Sequence, residues 1–245
     1  MPPTLVGVTP EPGQSRYAAL AAALRARVIA GEWPAGSAIP AEQSLADEHG
    51  VALGTMRRAL ELLVREGLVE RIQGRGTFVR AGLSGPTLMR FFRFGRGSGE
   101  VPASRILQRQ PVAAPAEVAR VLGIGAGEQV LKLRRLRSLD DQPCLLEEIW
   151  LPLPRFERLA EGPTASWGDL LYPLYAERCG VHVHRAVDEI GFDRLAAADA
   201  QRLGLPPGHP GVRVTRLAYD LAGRCIERRL TRGDALAFHY TVTIT

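Results

Sequence analysis

Residues 41–80 read AEQSLADEHG VALGTMRRAL ELLVREGLVE RIQGRGTFVR. Met56, Ala59, Leu60 and Leu63 recur at i, i+3, i+4 and i+7, which gives one helix an apolar face. Gly50 is placed to end a preceding helix in the left-handed conformation, and Gly67 to end this one. After Gly67, Leu68 to Arg71 and Thr77 to Arg80 are short strands, with Gln73, Gly74, Arg75 and Gly76 turning between them. The order helix, tight turn, helix, two-stranded ribbon predicts a winged helix-turn-helix.

Arg57 and Arg58 stand one turn into the second helix. If Met56 and Leu60 face the core, Arg57 lies about 100° around the axis and points outward. A helix with exposed donors near its N-terminal end fits the major groove of DNA. Arg75, between two glycines at a hairpin tip, has little bulk beside it, which suits a guanidinium entering a narrow minor groove. Each of these residues alone also reads as a solvated charge or a plain turn. All three features in the correct order within residues 41–80 point to DNA binding.

Tyr17 to Val79 resembles the DNA-binding domain of the GntR family of bacterial transcription regulators. The matching pieces are Tyr17 with Leu24 and Ile29, Gly31 to Gly36, Ile39-Pro40-Ala41-Glu42, Leu45-Ala46, Gly50-Val51, Thr55-Met56-Arg57, Ala59-Leu60, Leu63, Glu66 to Val69, and Gly74 to Val79. The resemblance implies a DNA-contacting set of Gln43, Thr55, Arg57, Arg58, Gly74, Arg75 and Gly76. Ala52-Leu53 stands where the family usually has a serine, often followed by arginine. Ala52 cannot cap the recognition helix as serine does, a loss of ~1 kcal/mol. Leu53 cannot read a guanine edge, and Gln43 occupies a position where relatives often carry arginine. The family's usual operator sequence therefore does not carry over.

The 245 residues allow one or two domains, and 46% apolar content is ordinary for a globular protein. The formal charge is +5, with Lys132 the sole lysine. Residues 57–80 hold six arginines against Glu61, Glu66 and Glu70, a local basic excess that permits a polyanionic partner. No window has the length and apolarity of a membrane span, and the N-terminus lacks the pattern of a signal peptide. Cys144, Cys179 and Cys225 are scattered and odd in number. They fit buried thiols in a cytoplasmic protein, with no disulfide framework and no metal spacing.

Residues 1–14, with four prolines, are expected to form a flexible arm, and 15–80 the DNA-binding domain. Ser15 is placed to cap a helix running to about Ala30, with Tyr17, Leu20, Ala21, Leu24 and Val28 on one face. Residues 81–88, small and Gly-rich at the start, are the expected linker to a second domain, 89–245. Within it Ala114–Leu122, Gly168–Cys179 and Ala196–Leu203 read as helices. Glu128–Leu139, Leu145–Trp150, Val181–Phe192, Val212–Leu221, Arg224–Thr231 and Ala237–Thr245 read as strands. Strands outweigh helices, so the second domain is expected to be α+β on an antiparallel sheet.

Gly123-Ile124-Gly125-Ala126-Gly127 precedes a strand and is no dinucleotide fingerprint. His182-Val183-His184 puts two imidazoles on one strand face, without a third metal ligand. No nucleophile elbow or Ser-His-Asp pattern appears, so no catalytic residue, metal or cofactor is assigned. Arg135 and Arg137 share a strand face with Leu131 and Leu133, ~7 Å apart. That face is either an inner surface opening on a pocket for an anion or a solvated surface laced with salt bridges, and the residues alone weigh the two equally.

Residues 89–245 resemble the effector-binding (UTRA) domain of the HutC subfamily. The matching pieces are Val130 to Arg137, Gln142-Pro143 leading to Glu148 and Leu151-Pro152, Leu171-Tyr172 with Gly180, and Arg216 to Asp220 through Glu227 to Arg232-Gly233-Asp234. The resemblance implies a chorismate-lyase-like fold, dimerisation, and an effector pocket lined by Arg135, Arg137, Tyr172 and Glu227. Leu170 stands where a serine lines sugar-phosphate pockets, which argues against an amino-sugar phosphate and leaves the ligand open. The combined expectation is a ligand-responsive transcription regulator. It acts as a homodimeric repressor that binds a double-stranded operator and is released by a small anionic metabolite. An enzyme on the lyase-like fold and a ligand-independent architectural DNA-binder are the alternatives.

Overall fold

The computed structural model describes residues 15–80, 92–94 and 101–240, with the backbone alone for 92–94 and 240. The expected arm (1–14), the linker (81–88) and the end of the last strand lie outside the described residues. The chain divides into two compact units, Met1–Gly82 and Leu83–Thr245.

In the first unit α1 (Arg16–Ile29), α2 (Glu42–His49) and α3 (Leu53–Arg65) precede a hairpin of β1 (Val69–Ile72) and β2 (Gly76–Val79). The apolar stripe read from sequence is the core of α3: Met56, Ala59, Leu60 and Leu63 are completely buried. Burial of Met56, Leu60 and Leu63 stabilises the unit by ~1.5–3 kcal/mol each. They meet Leu20, Ala21, Leu24 and Val28 of the same unit's buried core, whereas Tyr17 is 36% exposed and lies at the edge of the stripe it was expected to join. Gly50 takes φ 61° and Gly67 φ 71°, the left-handed values expected of helix-ending glycines. Ser15 sits at the N-cap of α1 but makes no side-chain cap bond; its carbonyl accepts from Ala18 and Ala19 instead. The wing gains a third partner that the sequence did not reveal. Ala38 bridges Phe78, Ile39 N–H donates to Thr77 O, and Val79 N–H donates to Ser37 O.

The second unit is built on a six-stranded antiparallel sheet. A two-stranded pair, β3 (Phe92–Phe94) with β10 (Phe238–Tyr240), accompanies it. The sheet strands are β4 (Ala103–Ala113), β5 (Gln129–Leu139), β6 (Gln142–Pro152), β7 (Arg185–Arg194), β8 (Pro210–Tyr219) and β9 (Cys225–Asp234), in the order β4-β5-β6-β9-β8-β7. Helices cover both faces. On one, α5 (Leu153–Phe156) and α6 (Leu171–Cys179) pack Phe156, Leu171, Leu174 and Tyr175 onto Leu131, Leu133, Ile149 and Ile226. On the other, α4 (Ala116–Leu122) packs against Val130 and Trp150, and α7 (Ala197–Arg202) brings Ala200 against Leu136 and Leu146. Because both faces are covered, β5 and β6 bury side chains on both sides.

β7 begins at Arg185, four residues later than expected, so Val181 to His184 lead into the strand. His182 and His184 are half-buried, and among the described residues no cluster of His, Cys, Asp or Glu is placed to hold a metal ion. Among the described residues no helix is long and apolar enough to cross a membrane.

Two candidate binding sites

The first site is the outer surface of α3 and the wing. Arg57 and Arg58 are exposed beside the buried Met56, and Thr55 is half-buried. A Cβ built at Gly54 meets nothing within 4 Å, so the first turn of α3 is open to an approaching surface. Ala52 occupies the N-cap of α3 without a side-chain cap bond, as its methyl dictates. At the wing tip Gly74 (φ 73°) and Gly76 (φ 114°) hold backbone conformations that other residues rarely adopt, and Arg75 is exposed between them. Its guanidinium lies 5.6 Å from the Phe78 ring. Gln43 is exposed and donates to Asp47 Oδ1 at 2.8 Å.

One residue not expected in this surface joins its parts. Glu42, the first residue of α2, accepts from Arg57 Nε at 2.9 Å and from Arg71 Nη2 of β1 at 2.9 Å. It lines a cleft of about 450 Å³ between the start of α2 and the wing, together with Pro40, Arg71, Gln73 and Arg75.

The second site lies on the sheet face under α6. Arg135 and Arg137 are 1% and 2% exposed, so the solvated-face alternative is excluded. Arg135 is directly opposite Glu147 on β6, with Nε 2.5 Å from Glu147 Oε2. Arg229 on β9 lies 3.5 Å from the other Glu147 oxygen and donates to Glu227 Oε2 at 2.8 Å. Arg216 on β8 faces Arg229 across the ladder and forms a two-pronged pair with Asp188, 2.6 Å at each oxygen. Like charges directly opposite repel, so this row is stable only because Glu227, Glu147 and Asp188 flank it. Arg137 donates to Pro102 O at 2.7 Å and to Asp169 O at 3.3 Å.

Burial works to raise the Glu147 carboxyl, but Arg135, Arg229 and Arg137 outweigh it and hold the group down at about 2. Burial lowers Arg137 to about 10, helped by the neighbouring Arg135 and Arg229 and opposed by Glu147. Burial and the Glu227 carboxylate push both Tyr172 and Tyr175 above the ordinary tyrosine range.

The recess at the centre is lined by Arg135, Arg137, Asp169, Leu170, Leu171, Tyr172, Arg216 and Arg229. Three of the expected residues are therefore brought together, and Arg216 and Arg229 are added. Glu227 is the correction. It is wholly buried behind the tyrosines, accepting from Tyr175 Oη at 2.7 Å, Tyr172 Oη at 3.3 Å and Arg229, and does not line the recess. The cavity is about 20 Å³, enough for about one water and far below a metabolite pocket. Arg135, Arg216 and Arg229 are thus closed around the protein's own carboxylates, and Arg137 on backbone carbonyls.

Residues 16–79 match the bacterial regulatory proteins of the gntR family, and residues 97–239 match the UTRA domain, more than half of the 245-residue chain. The chain is 29% identical over 225 residues to the HTH-type transcriptional repressor NagR of Bacillus subtilis (strain 168), covering 89% of this chain and 90% of the relative. It is 28% identical to the HTH-type transcriptional regulator SmoD of Agrobacterium fabrum, over 93% of this chain and 95% of that one. The crystal structure of PhnF from Mycobacterium smegmatis is similar with a TM-score of 0.54 and 26% identity, covering 92% of this chain and 98% of that one.

Proposed function

The chain belongs to the gntR family of bacterial regulatory proteins, with a UTRA domain behind the DNA-binding one, and we propose that it is a homodimeric repressor released by a small anionic metabolite. It is a ligand-responsive, DNA-binding transcription regulator and not an enzyme. The sign of regulation is supported by relatives named as repressors. A cytoplasmic location follows from the DNA partner.

The anionic character of the effector rests on one observation. Arg135, Arg137, Arg216 and Arg229 converge under α6 against Glu147, Glu227 and Asp188, four positive groups to three negative. Charge-assisted bonds from guanidinium forks are the strong way to hold a carboxylate or phosphate. Arg135, Arg137 and Tyr172 are the proposed contacts, with Arg216 and Arg229 beside them; Glu227 holds Arg229 and the tyrosines in place. The closed recess must widen for a ligand to enter, and a ligand that binds only the widened arrangement shifts the equilibrium between the two.

On the DNA side, Arg57 and Arg58 on α3 and the Gly74-Arg75-Gly76 tip, with Gln43 and Thr55, are the proposed contacts. The homodimer is supported by the contrast between the sheet's two edges. β4 is protected by Pro111, a bulge between Ile106 and Gln108, and the Asp169 carboxylate capping Ser104 N–H. β7 runs ten residues against β8 without a bulge and exposes Val187 (45%) and Phe192 (68%). Among the described residues no strand pairs with its outer side. A second copy of the same strand fits such an edge.

The test is thermal unfolding of the full chain with individual organic acids, phosphate esters, and neutral and cationic compounds of similar size, followed by DNA binding with each stabilising compound. An anion that raises the melting temperature and releases DNA is expected. If only neutral or cationic compounds do so, the anionic reading fails.

A further inference from the structure

A carboxylate on a DNA-facing surface needs an explanation, because it repels phosphates. Glu42 is such a group. It stands at the first residue of α2, half-buried, with one oxygen on Arg57 Nε of α3 and the other on Arg71 Nη2 of β1. One side chain thus joins the three elements that form the surface: the helix before the turn, the helix after it, and the wing. As isolated surface ion pairs these contacts add little stability. Their geometric effect is larger. A long arginine side chain that is 58% exposed would otherwise sample many rotamers. Glu42 engages Nε and leaves the two terminal nitrogens of Arg57 outside this bond. They form the planar fork that reads a guanine edge.

We propose that Glu42 is a positioning residue that fixes Arg57 for base reading and draws Arg57 and Arg71 away from indiscriminate phosphate contact. The proposal rests on the assignment of Arg57 to DNA reading. It makes an unusual demand on sign: removing the charge strengthens binding to unrelated DNA while weakening the preference for the correct sequence. A merely structural role for Glu42 would weaken both.

The experiment uses the full chain and two duplexes of equal length, one recovered from a random pool by the unaltered protein and one scrambled. Glu42→Gln, close in shape and partly exposed, is expected to bind the scrambled duplex more tightly. Its log-affinity against log-salt slope should steepen by about one for each arginine released to phosphate, so by up to about four for Arg57 and Arg71 of both protomers. Its preference for the recovered duplex should fall ~3–10-fold, a fraction of what one good bidentate pair discriminates. In an Arg57→Ala background the same substitution should leave the preference unmoved, because Glu42 acts through Arg57. An undiminished preference in Glu42→Gln overturns the proposal, and so does an equal loss with and without Arg57. If Arg57→Ala alone leaves the preference intact, it is the assignment of Arg57 itself that fails. The single and double variants therefore separate the two ideas.

Discussion

Glu147→Gln isolates the charge balance of the arginine cluster. The substitution keeps the shape and one acceptor oxygen but removes the carboxylate that Arg135 holds at 2.5 Å and Arg229 at 3.5 Å. Folding lowers the Glu147 carboxyl from 4.5 to about 2, which corresponds to about 3 kcal/mol of stability at neutral pH. That agrees with the ~3–5 kcal/mol usual for breaking a buried pair from one side. The sign is fixed by the direction of the shift. A carboxyl held below its unfolded value contributes fully above about 4.5, and the contribution fades as the pH falls towards 2. In a unit of this size ~1 kcal/mol moves the melting temperature by ~2–4 °C, so a drop of about 6–12 °C is expected at pH ~7. By pH ~3 the unaltered protein has lost about half of this margin, and the gap between the two proteins narrows accordingly. Thermal unfolding followed by circular dichroism at both values measures it. The variant also leaves Arg135 and Arg229 in greater positive excess, so inorganic phosphate should raise its melting temperature more than that of the unaltered chain. A gap of less than about 2 °C at pH ~7 would show that the cluster does not depend on Glu147 as the Coulomb argument requires. So would a gap that is the same at both pH values.

Arg57→Ala should reduce affinity for the recovered duplex by ~1–3 kcal/mol with an unchanged melting temperature; an unchanged gel-shift titration removes Arg57 from the contact set. Phe192→Glu should convert a dimer to a monomer in light scattering, by placing a charge on the exposed β7 edge; a persisting dimer locates the interface elsewhere. Asp140 and Asp141 hold φ 47° and 60° in the two-residue turn between β5 and β6. Asn-Gly fits that turn better, so Asp140→Asn with Asp141→Gly should raise the urea midpoint by the equivalent of ~1 kcal/mol. A lower midpoint would show that the aspartates serve the turn in some other way.

The first unit was legible because its signals are local. A four-residue apolar stripe and glycines at the helix ends are set within a few residues of the structures they specify. The third partner of the wing was not legible, because Ser37 to Ile39 pair with Thr77 to Val79 some forty residues away, and no periodicity marks so short a segment. In the second unit alternation marks β5 nearly to its ends, but nothing comparable marks β4. Residues 103–113 carry Gln108, Arg109, Gln110 and Pro111 in a row, and the bulge at Ile106/Gln108 breaks the alternation that marks a strand. The features that make β4 a poor sequence signal are those that protect it as a sheet edge.

The arginine cluster shows the same limit at the level of single residues. Arg135 and Arg137 could be found because alternation along β5 puts them on the face of Leu131 and Leu133. Their counter-charge could not be found by counting outward from the turn. The hairpin register starts at Leu139 opposite Gln142 and Ser138 opposite Pro143, which extrapolates to Arg135 opposite Leu146. A bulge between Arg137 and Ser138 shifts the pairing by one residue, so that Arg135 meets Glu147 and Leu146 meets Leu136. Without the shift, Glu147 would turn to the face that holds Leu136 and α7, and Arg135 would be buried without a partner. Arg229 and Arg216 were hidden for a related reason. They come from strands that follow β5 by about eighty residues or more, and only the sheet order brings them into one row. The charges that make this face a candidate anion site are thus assembled by register and strand order, which are set by the whole sheet, while the apolar half of the same face is set by the pattern of a single strand.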